Sequence, residues 1–104
     1  MAYPGQTKNA TVVDGWVRLA TLYDSAFVDT IKTADGQQAN QAWIEGRTNA
    51  IQVAYSLTMP VVIGHVMNSG DSQIMDNQEF IRRCWVRNDA AGSAGVLVIT
   101  PIYE

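Results

Sequence analysis

The chain has 104 residues, a net charge of −3 and only 16% charged residues, which indicates one small domain with an unusually neutral composition. The negative charge argues against a partner bound through phosphates, so we expect no nucleic-acid binding. A single cysteine excludes an internal disulfide. No apolar run approaches the roughly 20 residues that span a bilayer, and no signal-peptide pattern is present, so we expect no membrane partner and synthesis in the cytoplasm.

The first ten residues predict an extended arm that precedes a single domain at 11–104. Tyr3, Pro4 and Gly5 have the chemistry of a turn, and small or polar residues follow them. Such an arm can become ordered against a neighbouring subunit. Tyr3 and Pro4 are therefore candidate protein-contact residues.

The first half of the domain has weak strand signals. Residues 11–13 and 16–21 flank Asp14 and Gly15, a pair that predicts a tight hairpin. Residues 23–32 are ambiguous, and Asp24 or Ser25 could cap one helical turn there. Residues 37–45 are polar and end near Trp43, which fits either a strand with a hydrated face or a loop.

The second half of the domain has clearer strand signals. Alternation over 48–56 and β-branched residues over 60–67 predict two strands, and 72–75 predicts a short third one. Alternation over 79–88 predicts a long strand. The turn at 89–93 is expected to join it, as a hairpin, to the final strand at 95–102. Because Pro101 has no N–H to donate, the end of that final strand is expected at a sheet edge.

These elements predict an all-β fold of about seven to eight short strands, with turns roughly every 8–12 residues. Strand–helix–strand alternation is missing, which disfavours a parallel α/β sheet. We therefore expect an antiparallel, jelly-roll-like β-sandwich, with a barrel as the alternative.

Residue types that perform catalysis are scarce. One cysteine and one histidine cannot supply the four ligands of a structural zinc site. Cys84 and His65 could form a nucleophile–base pair, but Cys84 shares its predicted strand face with Phe80 and Val86, which favours a buried thiol. Most carboxylates lie in turns, where they bond to backbone amides. We expect no enzyme activity, no catalytic residue, no metal and no cofactor.

The three tryptophans are the most informative side chains. Trp16 and Trp85 share predicted strand faces with arginines, and Trp43 lies in a polar segment. Each ring could pack in the core beneath an arginine, or lie exposed at a contact surface. Trp16, Trp43 and Trp85 join Tyr3 and Pro4 as the candidate protein-interaction residues.

The last third of the sequence resembles a known class of proteins. Trp85, Val86, Arg87 and Asn88 are followed by small residues at 90–94 and by a β-branched run that ends in Pro101. This ending is similar to the closing hairpin of small β-sandwich structural proteins of tailed bacteriophages, capsid decoration (cement) proteins among them. The resemblance implies a place on the capsid surface of the virion. The implied partners are the major capsid protein and further copies of the chain, as a trimer on lattice three-fold positions.

Three hypotheses about function follow. A capsid-stabilising virion protein comes first, because a neutral surface rich in Gln, Asn, Ala and Val suits contact with protein. The alternative is a carbohydrate- or receptor-binding module of a fibre or adhesin, in which Trp43 or Trp16 would form an aromatic platform. An enzyme with Cys84 as its nucleophile is the third.

Overall fold

The computed structural model describes residues 2–28, 30–33 and 35–104, which contain nine short strands and two short helices. In chain order the elements are β1 (Tyr3–Pro4), β2 (Lys8–Thr11), β3 (Val17–Arg18), α1 (Leu19–Tyr23), β4 (Gln41–Arg47), β5 (Ile51–Tyr55), β6 (His65–Met67), β7 (Ser72–Met75), α2 (Gln78–Arg83), β8 (Cys84–Asn88) and β9 (Val96–Tyr103). Neither helix is long and apolar enough to cross a membrane.

The strands form two antiparallel sheets. Sheet A has the order β2-β9-β4-β7, with β1 pairing at the far end of β9, and sheet B has the order β3-β8-β5-β6. The pairs are nested along the chain: β2 pairs with β9, β3 with β8, β4 with β7 and β5 with β6. Apart from the short β1, eight strands form a nested antiparallel ladder that is divided equally between the two sheets, which is a jelly roll. The predicted all-β sandwich is therefore confirmed.

The hydrophobic core lies between the two sheets. Side chains alternate along β9, where Leu97 and Ile99 are fully buried and their neighbours Val98 and Thr100 are only partly buried. The largest fully buried side chains are Leu19, Ile31, Ile44, Ile51, Met75, Leu97 and Ile99. Cys84 is also completely buried, as its predicted place in the core requires.

Both predicted hairpins are wrong, because the strands on either side of each turn belong to different sheets. The Asp14-Gly15 turn leads from β2 in sheet A to β3 in sheet B, and residues 89–95 lead from β8 in sheet B to β9 in sheet A. Asp14 joins the two crossings: its carboxylate accepts from Asn88 Nδ2 at 2.8 Å and from the Gly92 amide at 3.2 Å. These two bonds hold the pKa of Asp14 below its usual value.

Two segments that were predicted as strands begin or end as helices. Residues 16–21 contain the two-residue strand β3 and then enter α1, and 79–88 begin in α2 before β8. Asn77 caps α2 by accepting from the Phe80 amide at 3.1 Å, and Glu79 in its first turn pairs with Arg82 and Arg83. Asp24 ends α1 instead of starting a helix. The strand predicted at 60–67 shortens to His65–Met67.

The N-terminal segment is extended, and it pairs with β9 of its own chain. Tyr3 lies opposite Tyr103, and Lys8 lies opposite Ile99. The predicted edge position of Pro101 is wrong, since β9 has neighbours on both sides. Pro101 is tolerated there because it lies opposite the break between β1 and β2, at residues 5–7, where its carbonyl accepts from the Gly5 amide at 2.7 Å.

Candidate interaction surface

The most exposed large apolar side chains among the described residues lie in the loop between β5 and β6. We call residues 56–64 the apolar loop. Val61 is 97% exposed and Ile63 is 81% exposed, and Leu57, Met59 and Val62 are each more than half exposed. No Asp, Glu, Lys or Arg occurs anywhere in 56–70. A cluster of exposed apolar side chains of this kind is typical of a site that contacts another molecule.

The start of the apolar loop is fixed to sheet B by side-chain donors. Trp85 Nε1 donates to the Ser56 carbonyl at 2.9 Å, and Arg18 Nη2 donates to the Leu57 carbonyl at 3.0 Å. The other terminal nitrogen of Arg18 donates to the Arg82 carbonyl at 2.9 Å. The Arg18 guanidinium also lies over the Trp85 ring, 4.5 Å from its centroid, a favourable cation–π geometry.

The end of the apolar loop is fixed by the buried amide of Gln52. Its Oε1 atom accepts from the Gly64 amide at 3.2 Å and from Arg87 Nε at 2.9 Å. The Arg87 guanidinium lies 4.5 Å from the centroid of the Trp16 ring. A Cβ atom at Gly64 would lie only 2.8 Å from the Val53 carbonyl oxygen and 2.9 Å from Trp16 Cη2. The loop therefore ends in direct contact with the sheet.

Two of the predicted interaction residues, Trp16 and Trp85, therefore lie beneath the apolar loop. Trp85 is buried and Trp16 is partly buried, and each carries an arginine on its ring. Stacked rings and guanidinium groups form a stiff support, because both groups lose their freedom to rotate when they pack together. In this structure Trp16 and Trp85 position the apolar loop, and its tip is formed by other residues.

The other three predicted interaction residues belong to sheet A. Trp43 is 46% exposed on the outer face of that sheet, and its cross-strand neighbour Ile74 is 55% exposed. Tyr3 is exposed and packs on Tyr103 with ring centroids 5.8 Å apart. Pro4 is exposed on β1. Since the two sheets pack face to face, their outer faces point in opposite directions, and the five predicted residues do not form one site.

The residues that form the tip of the apolar loop were missed from the sequence, because 60–67 was interpreted as a strand. A strand with one hydrated face alternates, whereas Val61, Val62 and Ile63 form an unbroken apolar run after Pro60. An unbroken apolar run is also typical of a buried strand, as residues 96–99 in β9 show, so the sequence holds no signal that separates the exposed loop from a strand.

Cys84 and His65 do not form the possible nucleophile–base pair. Cys84 points into the core, where burial raises the pKa of its thiol to about 12 and disfavours the thiolate. His65 is exposed on β6. Among the described residues, no group of three or more His, Cys, Asp or Glu side chains has the arrangement to hold a metal ion.

Comparisons with known proteins find no relative of this chain: no family model, no curated protein and no solved structure matches it. The jelly-roll architecture is shared by viral capsid proteins, lectins and cupins, so the fold alone leaves several functions open.

Proposed function

We propose that this protein is a virion structural protein, a capsid decoration protein that binds the viral capsid lattice and stabilises it by protein–protein contact. The proposal rests above all on the apolar loop, whose tip residues Val61 and Ile63 are almost fully exposed. Both ends of that loop are bonded to sheet B. A loop held in one shape loses little conformational entropy when it binds, so its apolar surface contributes efficiently to affinity.

The proposal also specifies partners and place. The partner is the major capsid protein, and the protein lies on the outer surface of the capsid after synthesis in the host cytoplasm. Self-association as a trimer follows from the resemblance of the C-terminal third to decoration proteins. A closed three-fold assembly suits a lattice that itself has three-fold axes.

Binding to empty capsid shells tests the proposal. The shells are assembled from the major capsid protein encoded in the same genome, mixed with purified protein and sedimented. We expect saturable binding that the double substitution Val61→Ser, Ile63→Ser weakens by at least about 10-fold, since burial of one aliphatic side chain contributes about 1.5–3 kcal/mol.

A matched control is the double substitution Val13→Ser, Val28→Ser, which alters two exposed valines outside the apolar loop. That variant should bind the shells as tightly as the unaltered protein. If the unaltered protein fails to bind the shells and is missing from purified virus particles, the proposed function is wrong.

A second candidate function is carbohydrate binding, and it is favoured by the exposed ring of Trp43. The ring lies on a sheet face beside Ile74 and Thr100, where a sugar could stack on it. Trp16 suits this role less, because Arg87 covers its ring. Titration of glycans against tryptophan emission, with Trp43→Ala as the control, tests this function. Unchanged emission across a broad glycan panel would contradict it.

A further inference from the structure

The positive charge of the chain is concentrated at the base of the apolar loop. Four of the seven Lys and Arg residues adjoin the loop through hydrogen bonds to it or to its anchors, and these are Arg18, Arg82, Arg83 and Arg87. The backbone of Arg83 accepts from the Ser56 amide at 2.8 Å, which brings the end of α2 against the start of the loop. We call these four side chains the arginine cluster. It is notable in a chain whose net charge is −3.

Carboxylates neutralise the arginine cluster only in part. Arg82 and Arg83 share one carboxylate, Glu79, at 3.3 and 3.1 Å. Gln52 connects a second carboxylate to the cluster: its Nε2 atom donates to Asp89 Oδ1 at 3.1 Å, and its Oε1 atom accepts from Arg87 Nε. The donors of Arg18 go to backbone carbonyl oxygens and that of Arg87 goes to an amide oxygen. In the described contacts Arg18 and Arg87 thus donate to neutral oxygen atoms and not to carboxylates, which leaves the positive charge of these two guanidinium groups uncompensated.

We propose that the apolar loop docks into an apolar groove of a partner protein whose rim carries carboxylate side chains. This inference rests on the proposed function and adds the chemistry of the partner's surface. The groove would accept Val61 and Ile63, and its rim would meet the arginine cluster. Guanidinium groups are weakly hydrated and match carboxylates geometrically, so they form interfacial pairs at a lower desolvation cost than ammonium groups do.

A second copy of this chain fits the same surface poorly. A two-fold contact places identical patches against each other, so the arginine clusters of the two copies would face each other. Like charges brought together at an interface cost affinity and suppress that pairing. An acidic rim on a different protein removes this repulsion and also accelerates the encounter between the two partners.

A membrane surface also fits less well than a protein groove. Segments that lie in the bilayer interface carry aromatic anchors and flexible basic side chains that reach the headgroups. Residues 57–63 include neither an aromatic nor a basic residue. Arg18 and Arg87 lie on the Trp85 and Trp16 rings at the base of the loop, so their guanidinium groups are held away from the loop tip.

The first test measures how binding to the capsid shells depends on charge. Arg83→Gln removes one charge of the cluster, and Arg47→Gln removes a similarly exposed, ion-paired charge on sheet A. We expect Arg83→Gln to weaken binding roughly 5-fold and Arg47→Gln to change it less than about 2-fold. Added salt should weaken the binding of the unaltered protein more than it weakens the binding of the Arg83→Gln variant. If the affinity for the shells changes neither with Arg83→Gln nor with added salt, the inference is wrong, whereas the proposed function is not contradicted.

The second test does not depend on the shells. Two labelled peptides, one of alternating Leu and Glu and one of alternating Leu and Lys, are titrated with the protein and followed by fluorescence anisotropy. We expect at least about 10-fold tighter binding of the acidic peptide, weaker binding of both peptides by Val61→Ser, Ile63→Ser, and a smaller preference for the acidic peptide in Arg83→Gln. Such a preference supports the inference even if the unaltered protein fails to bind the shells, an outcome that would contradict the proposed function alone. Equal binding of the two peptides overturns the inference, as does flotation with vesicles of phosphatidylcholine and phosphatidylglycerol that requires Val61 and Ile63.

Discussion

The guanidinium carbon of Arg18 lies 4.5 Å from the centroid of the Trp85 ring, and the two side chains donate to consecutive carbonyls, those of Leu57 and Ser56. One stacked pair therefore both packs the outer face of sheet B and fixes the start of the apolar loop. The loop has no charged residue of its own. Its shape depends on donors that belong to strands elsewhere in the chain.

The Arg18→Met substitution should destabilise the protein by about 1–2 kcal/mol, because it removes a cation–π contact and hydrogen bonds to two carbonyls. Methionine keeps the apolar stem that packs on the ring, so the decrease in the free energy of unfolding measures mainly the contribution of the guanidinium group. Urea unfolding measures the change. Faster amide exchange should be confined to the region of the apolar loop.

Arg47→Met is the matched control for this substitution. Arg47 is exposed and pairs with Glu45 at 2.8 Å, and exposed ion pairs contribute only about 0–1 kcal/mol. If Arg18→Met costs no more than Arg47→Met, the apolar loop does not depend on Arg18 for its position.

The Gly64→Ala substitution should destabilise the end of the apolar loop. The added Cβ would lie within 3 Å of both Trp16 and the Val53 carbonyl, and the backbone carbonyl cannot move without disturbing β5. Crowding of this kind costs about 1–3 kcal/mol. Urea unfolding and the near-ultraviolet circular dichroism of Trp16 should both change.

Gly15→Ala provides the comparison, since nothing lies within 4 Å of the Cβ built at Gly15. It should leave stability unchanged within about 0.5 kcal/mol, or raise it slightly by restricting the unfolded chain. Equal effects of the two substitutions would contradict close packing at Gly64.

The fold class was predictable from the sequence, because it depends on local patterns. The β-branched run within 95–102 and the frequent turns indicate short antiparallel strands. The strand pairing was not predictable, because the paired strands lie far apart in the sequence. In sheet B, Val86 pairs with Val17 on one side and with Val53 on the other, and no turn residue encodes pairing over such sequence separations. Asp14-Gly15 correctly marks a change of direction, but the chain crosses there to the other sheet.

The candidate site was predictable only in its parts. Shared strand faces left two alternatives for the tryptophan rings, packing beneath an arginine or exposure at a contact surface. The structure pairs rings and arginines across strands, with Arg18 on Trp85 and Arg87 on Trp16. The arginine cluster could not be foreseen, since it requires β3, α2 and β8 to meet beside the β5–β6 connection. The Asn77 cap and Glu79, which indicate α2, were overlooked because 79–88 was interpreted as one long strand.

The stability of the protein should fall above pH 9, in part because of Cys84. Burial raises the pKa of its thiol from 9.0 to about 12 in the folded protein, so unfolding releases a proton between those two pH values. The stabilisation is complete below pH 9 and is lost as the pH rises from there towards 12. Between pH 7 and pH 10 the loss from this residue should be on the order of 1 kcal/mol.

Cys84→Ala isolates this contribution, because the buried or partly buried tyrosines titrate in both proteins. Urea unfolding at pH 7 and pH 10 should show a shallower decline for Cys84→Ala, although its stability at pH 7 is lower. In the native protein at pH 8, a disulfide reagent should modify Cys84 only as fast as the chain opens. Modification at the rate of a free thiol would contradict the buried position and would revive the enzyme hypothesis.

The solution mass, measured by size-exclusion chromatography with light scattering, should be three times the 11.4 kDa of one chain. The trimer should persist in Val61→Ser, Ile63→Ser, because the arginine cluster beside those residues opposes contact between copies through that face. Loss of the trimer in that variant would mean that the apolar loop joins copies of this chain. A monomer at every concentration would contradict the trimer and confine any assembly to the capsid lattice. The glycan titration of Trp43 would then become the next experiment, because a monomer that exposes a tryptophan on a sheet face fits a carbohydrate-binding module equally well.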